Sequence, residues 1–255
     1  MLTFVSDPWF YAAAIPAVIL TGVSKAGFGG AVGSLSVPLM SLTIAAPQAV
    51  AIMLPILLLM DTMGLVAFRG RVDWTILRLA VPAGLVGIGL GWLFFRVLDD
   101  RWIKALVGAE AVAFGLQKLL EGSAAWSGPA RPLRPRVARF WSAVSGFTSF
   151  VSHAGGPPIM QMMMPLKLHR EIFVGTLAWF FAAINLSKIL PYGQLGLLDL
   201  TNLGTALALL PVVPVGYLLG LRFLKVVSPA VFIRVASIGL LLTGTKLLWD
   251  ALRGA

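Results

Sequence analysis

The chain has no cysteine among its 255 residues and only two histidines, His153 and His169. Disulfides, thiolate chemistry and iron–sulfur clusters are therefore excluded, and no zinc site built from protein ligands is expected. Charge is also scarce: Asp, Glu, Lys and Arg make up 12% of the residues, against about 25% in a soluble domain. So few charges cannot cover a surface that faces water. In their place, 58% of the residues are apolar and the mean hydropathy is +0.91. At about 20 apolar residues per crossing, the length accommodates at most about ten membrane segments and leaves no room for a soluble catalytic domain. The composition describes an all-α polytopic membrane bundle.

Acidic residues are outnumbered, 10 against 20 Lys and Arg, giving a formal charge of +10. On a soluble domain this would suggest nucleic acid. Here the basic residues fall mostly between apolar runs, where they meet anionic lipid and fix orientation. Membrane lipid, not nucleic acid, is the expected partner. Asp7, with no basic residue, precedes the first apolar run, unlike the positive start of a cleaved signal peptide, so this run is expected to be retained.

Continuous apolar runs over 46–68, 73–95, 102–121, 170–190, 199–221 and 229–249 are each long enough to span. Two other stretches are interrupted: 9–41 at Ser24-Lys25-Ala26-Gly27-Phe28-Gly29-Gly30, and 138–165 at Ser152-His153-Ala154-Gly155-Gly156-Pro157-Pro158. Each is expected to form two short helices around a non-helical turn. The piece from Trp9 to Ser24 would reach about 24 Å, short of a hydrocarbon core about 30 Å thick.

Loop charge decides how these interrupted stretches cross. If each returns to its own side, one face collects Arg69, Arg71, Arg131, Arg134, Arg136, Arg139, Lys167, Arg170, Arg222 and Lys225, against Arg96, Arg101, Lys104 and Arg253 opposite. If each crosses once, the same residues divide evenly. The positive-inside rule favours two hairpins, with both termini periplasmic.

The chain also repeats itself. At an offset of 129, Pro82 meets Pro211, Gly87 meets Gly216, Gly91 meets Gly220, Arg96 meets Lys225, Gly115 meets Gly244 and Glu121 meets Asp250. At 128, Ser24-Lys25-Ala26-Gly27 meets Ser152-His153-Ala154-Gly155. Two transmembrane repeats are expected, 1–128 and 136–255, with a cytoplasmic linker at 122–139 containing Pro129, Pro132 and Pro135. A broken-helix hairpin plus three spans makes an odd number of net crossings, so the second repeat enters inverted. Such repeats place a substrate site at the midplane between them.

Backbone groups freed inside hydrocarbon are tolerated only when buried in protein or lining a cavity, so two matched breaks point inward. Helix pieces starting near Gly30 and Pro157 would direct their positive ends at the breaks and favour an anion. Lys25 and His153 add a cation and a titratable donor, and Ser24, Thr148, Ser149 and Ser152 add hydroxyls, with no Asp or Glu in either break. The expected binding set is Ser24, Lys25, Gly27, Gly29, Gly30, Ser149, Ser152, His153, Gly155 and Gly156. Glycine-rich turns also serve close helix packing, Lys25 has the length to snorkel, and His153 fits a satisfied core position. Recurrence of a basic side chain beside glycines favours binding.

Asp61, Asn185 and Lys188 are coupling or access candidates within apolar segments. Asp61 suits either pairing with Lys25 or carrying a coupling proton, whereas Lys188, near Pro191, is placed for snorkelling. Glu110 is expected to pair with a basic neighbour. Met160, Met162, Met163 and Met164 suit adaptable packing better than soft-metal binding. No cofactor, metal or catalytic set is expected.

The segments Gly22–Gly30 and Gly146–Pro158 together resemble the paired signatures of the sulfite exporter TauE/SafE family, and the likeness extends over nearly the whole chain. It implies an eight-helix bacterial inner-membrane permease for small sulfur-containing anions such as sulfite, thiosulfate or an organosulfonate, and leaves the individual substrate open. A secondary transporter using alternating access, with protons as a candidate coupling ion, is the leading expectation. A passive anion channel is the alternative. There is no P-loop sequence for direct ATP drive and no paired-histidine or other catalytic motif, so an enzyme is not expected.

Overall fold

A computed structural model describes residues 3–28, 30, 33–121, 129–223 and 229–254. The expected roles of Gly29, of linker residues 122–128 and of Lys225 lie outside the described residues. Twelve α-helices are described: α1 Pro8–Phe28, α2 Ser36–Met40, α3 Ala46–Ala67, α4 Trp74–Val97, α5 Asp100–Glu121, α6 Pro135–Ser152, α7 Gly156–Met163, α8 Arg170–Ser187, α9 Ile189–Gln194, α10 Leu200–Leu209, α11 Val212–Phe223 and α12 Pro229–Arg253. No strand occurs among the described residues.

Local chemistry sets several boundaries. Asp73 caps α4 by accepting from the N–H groups of Thr75 and Ile76 at 2.9 and 3.1 Å, and Asp199 caps α10 through Asn202 N–H at 2.8 Å. Such caps satisfy donors that have no partner within the helix. Prolines open α3, α6 and α7, where a missing N–H costs little.

Five helical stretches are long and apolar enough to cross a membrane: Pro8–Ala26, Ala46–Ala67, Trp74–Val97, Arg170–Gln194 and Arg234–Arg253. A sixth is Leu200–Leu209 with Val212–Arg222, bent by 44°. Helix α5 has comparable length but contains Lys104, Glu110 and Lys118. Large apolar side chains such as Trp9, Val66, Leu120 and Leu242 are exposed, as lipid contact allows.

The first interruption differs from the sequence expectation. Helix α1 continues through Phe28 over 21 residues, about 31 Å at the helical rise. Ser24, Lys25 and Gly27 are therefore helical, and the first limb is long and apolar enough to cross a membrane. One glycine costs a helix only about 1 kcal/mol, less than freeing backbone groups within hydrocarbon. The returning limb is a 3-10 turn, Gly33–Leu35, followed by α2; it starts later than Gly30. The second interruption lies where expected: α6 stops at Ser152, and α7 begins at Gly156 with Pro157 and Pro158 in its first turn.

Helix α3 is the central element. It packs against α8, α10 and α2 and touches α1, α5, α6 and α11. The principal outer pairs are α4 with α6, α1 with α11 and α5 with α12. Small residues permit their close approach. A methyl group at Gly108 would lie 2.9 Å from the Gly244 carbonyl oxygen, and one at Gly115 would lie 3.0 Å from that of Ser237, so α5 and α12 run antiparallel.

Candidate functional site

Four helices bring their polar side chains to one buried line. From α1, Lys25 forms an ion pair with Asp61 of α3. The other Asp61 carboxylate oxygen accepts from Asn185 Nδ2 of α8 at 2.7 Å. Asn185 Oδ1 accepts from Lys188 Nζ at 2.9 Å. Lys188 also donates to the Ser149 carbonyl at 2.5 Å and lies 2.8 Å from the Ser149 hydroxyl and 2.9 Å from His153 Nδ1. The line ends at α3, where His153 Nε2 lies 2.9 Å from the Val50 carbonyl.

Because a carbonyl only accepts, Nε2 of His153 carries the proton, and Nδ1 offers a lone pair to Lys188. Lys188 is fully buried, and the four acceptors around it are neutral. Lys25 therefore takes the Asp61 carboxylate directly, and Lys188 meets it only through Asn185. The snorkelling expected of Lys188 is not what the structure shows. It occupies the one-residue junction between α8 and α9, and its head reaches inward to α6.

His153 has φ 53° and ψ 23°, a left-handed conformation uncommon outside glycine. Glycine is the cheaper residue at such a helix end, so the imidazole occupies the break at an energetic cost. Gly30, at φ +85°, turns the first break. A side chain at Gly155 would lie 2.8 Å from the Ser145 carbonyl oxygen, and Ser145 Oγ donates to the Gly155 carbonyl at 2.6 Å. Thr148 Oγ1 donates to the Ala154 carbonyl at 3.1 Å. These two hydroxyls thus face the Ala154 and Gly155 carbonyls of the second break.

A small cavity lies between the interruptions, lined by Gly30 and Gly33 on one side and Ser149, His153 and Gly156 on the other, with Lys25, Phe181 and Asn185 closing it. A second small cavity is lined by Asp61, Gly64, Ala178 and Tyr217. Lys25 and Phe181 line both, and the Lys25 ammonium lies 5.4 Å from the Phe181 ring centre.

The structure therefore unites Lys25, Gly30, Ser149, His153, Gly156, Asp61, Asn185 and Lys188. It separates Ser152, whose hydroxyl donates to Glu110 of α5. Glu110 was expected to pair with a basic neighbour; it meets Ser152 instead, and its Oε1 has no partner among the described residues. Ser24 is buried, and its carbonyl accepts from Gly30 N–H at 3.0 Å. Gly27 lies in the last turn of α1, and Gly155 serves close packing at the second break. The prolines also alter the expected electrostatics at α7. Pro157 and Pro158 lack N–H groups, so the first turn offers fewer donors than an ordinary helix start.

Phe181, Thr21 and Tyr217 contribute to the cavities but were not anticipated. The signal for Phe181 was its spacing: residues 181, 185 and 188 follow the i, i+4, i+7 pattern of one helix face. The Val50 carbonyl left no trace in side-chain chemistry.

Long apolar helices around a buried polar line define a multi-pass α-helical membrane protein. A family model described as sulfite exporter TauE/SafE matches residues 14–247, and the chain belongs to that family. No curated protein and no solved structure matches it.

Proposed function

We propose that this protein is a secondary transporter that moves a small sulfur-containing oxyanion, such as sulfite, thiosulfate or an organosulfonate, across the bacterial inner membrane by alternating access. The observation carrying this reading is the cavity lined from both interrupted helices, with Lys25 and His153 at its wall. An anion there meets a cation, the Ser149 hydroxyl and the positive end of α7, while Lys188 holds Ser149 and His153 in place. The family assignment supports a transported anion over a catalytic role.

The two halves, 1–128 and 136–255, act in this reading as inverted repeats. Their packing supports it. The pairing of α1 with α11 corresponds to that of α6 with α4, and α3 with α10 corresponds to α8 with α4. The α5–α12 contacts exchange under the sequence offset of 129, which carries Gly108 to Ser237 and Gly115 to Gly244. Equivalent helices that run antiparallel are what inversion requires. The Arg-rich loops then face the cytoplasm and both termini the periplasm.

Lys25 and Phe181, standing in the walls of both cavities, favour a gated carrier over an open channel. The test is anion uptake into liposomes containing purified protein. Lys25→Ala is expected to abolish saturable uptake and counterflow, and undiminished transport in that variant would remove the proposed site.

A further inference from the structure

Resting on that site, we propose that Asp61 is a built-in counter-anion: it holds Lys25 until the substrate takes its place, and the displaced carboxylate then binds a proton, so that anion and proton move together. The placement of Lys25 makes the exchange possible. Its side chain borders both cavities, whereas Asp61 lines only the one it shares with Gly64, Ala178 and Tyr217. Turning the ammonium from Asp61 towards Gly30, Ser149 and Gly156 exchanges one anion for another without moving a helix.

Once Lys25 has turned, Asp61 retains only the neutral Asn185 amide as a described hydrogen-bond donor. Its other neighbours in the cavity include Met60, Leu177 and Phe181. A carboxylate buried among such groups is costly unless paired, and it neutralises by taking up a proton. The balance is simple. A Lys25–Asp61 ion pair, a monoanion and a proton become a Lys25–anion pair and a neutral Asp61 acid. The charge buried in the membrane is unchanged, which avoids the cost of adding an unpaired charge there.

Other titratable groups around α3 are accounted for. His153 of α6 has one nitrogen on the Val50 carbonyl and the other on Lys188. Lys188 of α8 reaches Asp61 only through Asn185. Tyr217 of α11 shares the Asp61 cavity, and Glu110 of α5 is held by Ser152. Helices α2 and α10 contain no titratable side chain.

The test uses thiosulfate and methanesulfonate, which remain ionised near neutral pH, so any proton taken up goes to the protein. Calorimetric titration of the purified native protein in buffers of different ionisation heat is expected to show about one proton bound per methanesulfonate. Asp61→Asn is expected to bind either anion about tenfold more tightly without proton uptake, because Lys25 is released. His153→Gln should bind more weakly and still take up the proton. Anion binding by the native protein without proton uptake, uptake that persists in Asp61→Asn, or loss of binding in a folded Asp61→Asn overturns the inference. The native measurement stands even if that variant misfolds. Undiminished binding in Lys25→Ala instead overturns the site, and failure of both anions to bind the native protein overturns both readings.

Discussion

Lys188 Nζ lies 2.9 Å from His153 Nδ1, so the junction between α8 and α9 is tied to the residue that ends α6. The second interruption thus meets the α8–α9 junction through one hydrogen bond, and the same Nζ reaches Asn185 and, through it, Asp61. Replacing Lys188 with methionine keeps the length of the side chain and removes all of its donors. The Ser149 carbonyl, His153 Nδ1 and Asn185 Oδ1 then lose a partner inside the protein, at a cost of about 3 kcal/mol or more. A lower thermal unfolding midpoint in detergent is expected, together with weaker anion binding. An unchanged midpoint would mean that the buried ammonium does not support the fold.

The left-handed backbone of His153 permits a sharper test of the imidazole. Glycine adopts this conformation without the strain of about 1 kcal/mol or more that another residue bears there. His153→Gly should therefore preserve the turn between α6 and α7 while removing the link from Val50 to Lys188. The expected result is a folded protein whose anion affinity falls at least tenfold. Native-like affinity would show that the ring is not part of the site.

Helix contacts make a separate prediction. A methyl group at Gly87 would collide with the Ala143 carbonyl oxygen, whereas one at Gly89, two residues along the same helix, meets nothing within 4 Å. Gly87→Ala should force α4 from α6 at a cost of roughly 1–3 kcal/mol and lower the unfolding midpoint. Gly89→Ala should be neutral or stabilise by up to about 1 kcal/mol. Equal behaviour of the two variants would refute the close α4–α6 contact.

Apolar length and glycine spacing made much of the fold readable. The expected runs at 46–68, 73–95 and 102–121 correspond to α3, α4 and α5, because uninterrupted apolar sequence inside a membrane has little choice but to be helical. The first break was less legible. Ser24-Lys25-Ala26-Gly27 aligns with Ser152-His153-Ala154-Gly155, yet the former is helix throughout and the latter leaves the helix after Ser152. Placing a helix end depends on tertiary contacts such as the Lys25–Asp61 pair, which no local motif encodes. Lys188 was misread for the same reason. Its nearness to Pro191 suggested an interface, but its role follows from acceptors on α6, some 35 residues away in sequence.

The hairpin reading of the interrupted helices can be tested directly because the chain contains no cysteine, so a single introduced thiol has no background. Gly193 lies at the exposed end of α9, where an added Cβ meets nothing within 4 Å, and Ala130 is exposed ahead of α6. If both interrupted stretches return to their own sides, one span separates these positions and they lie on opposite faces. If each stretch crosses once, a further crossing brings both to the same face. A membrane-impermeant maleimide added to intact cells is therefore expected to label Gly193→Cys and to reach Ala130→Cys only after lysis. Labelling of both, or of neither, before lysis would require the second interrupted stretch to cross the membrane, which the antiparallel contacts of α5 with α12 oppose.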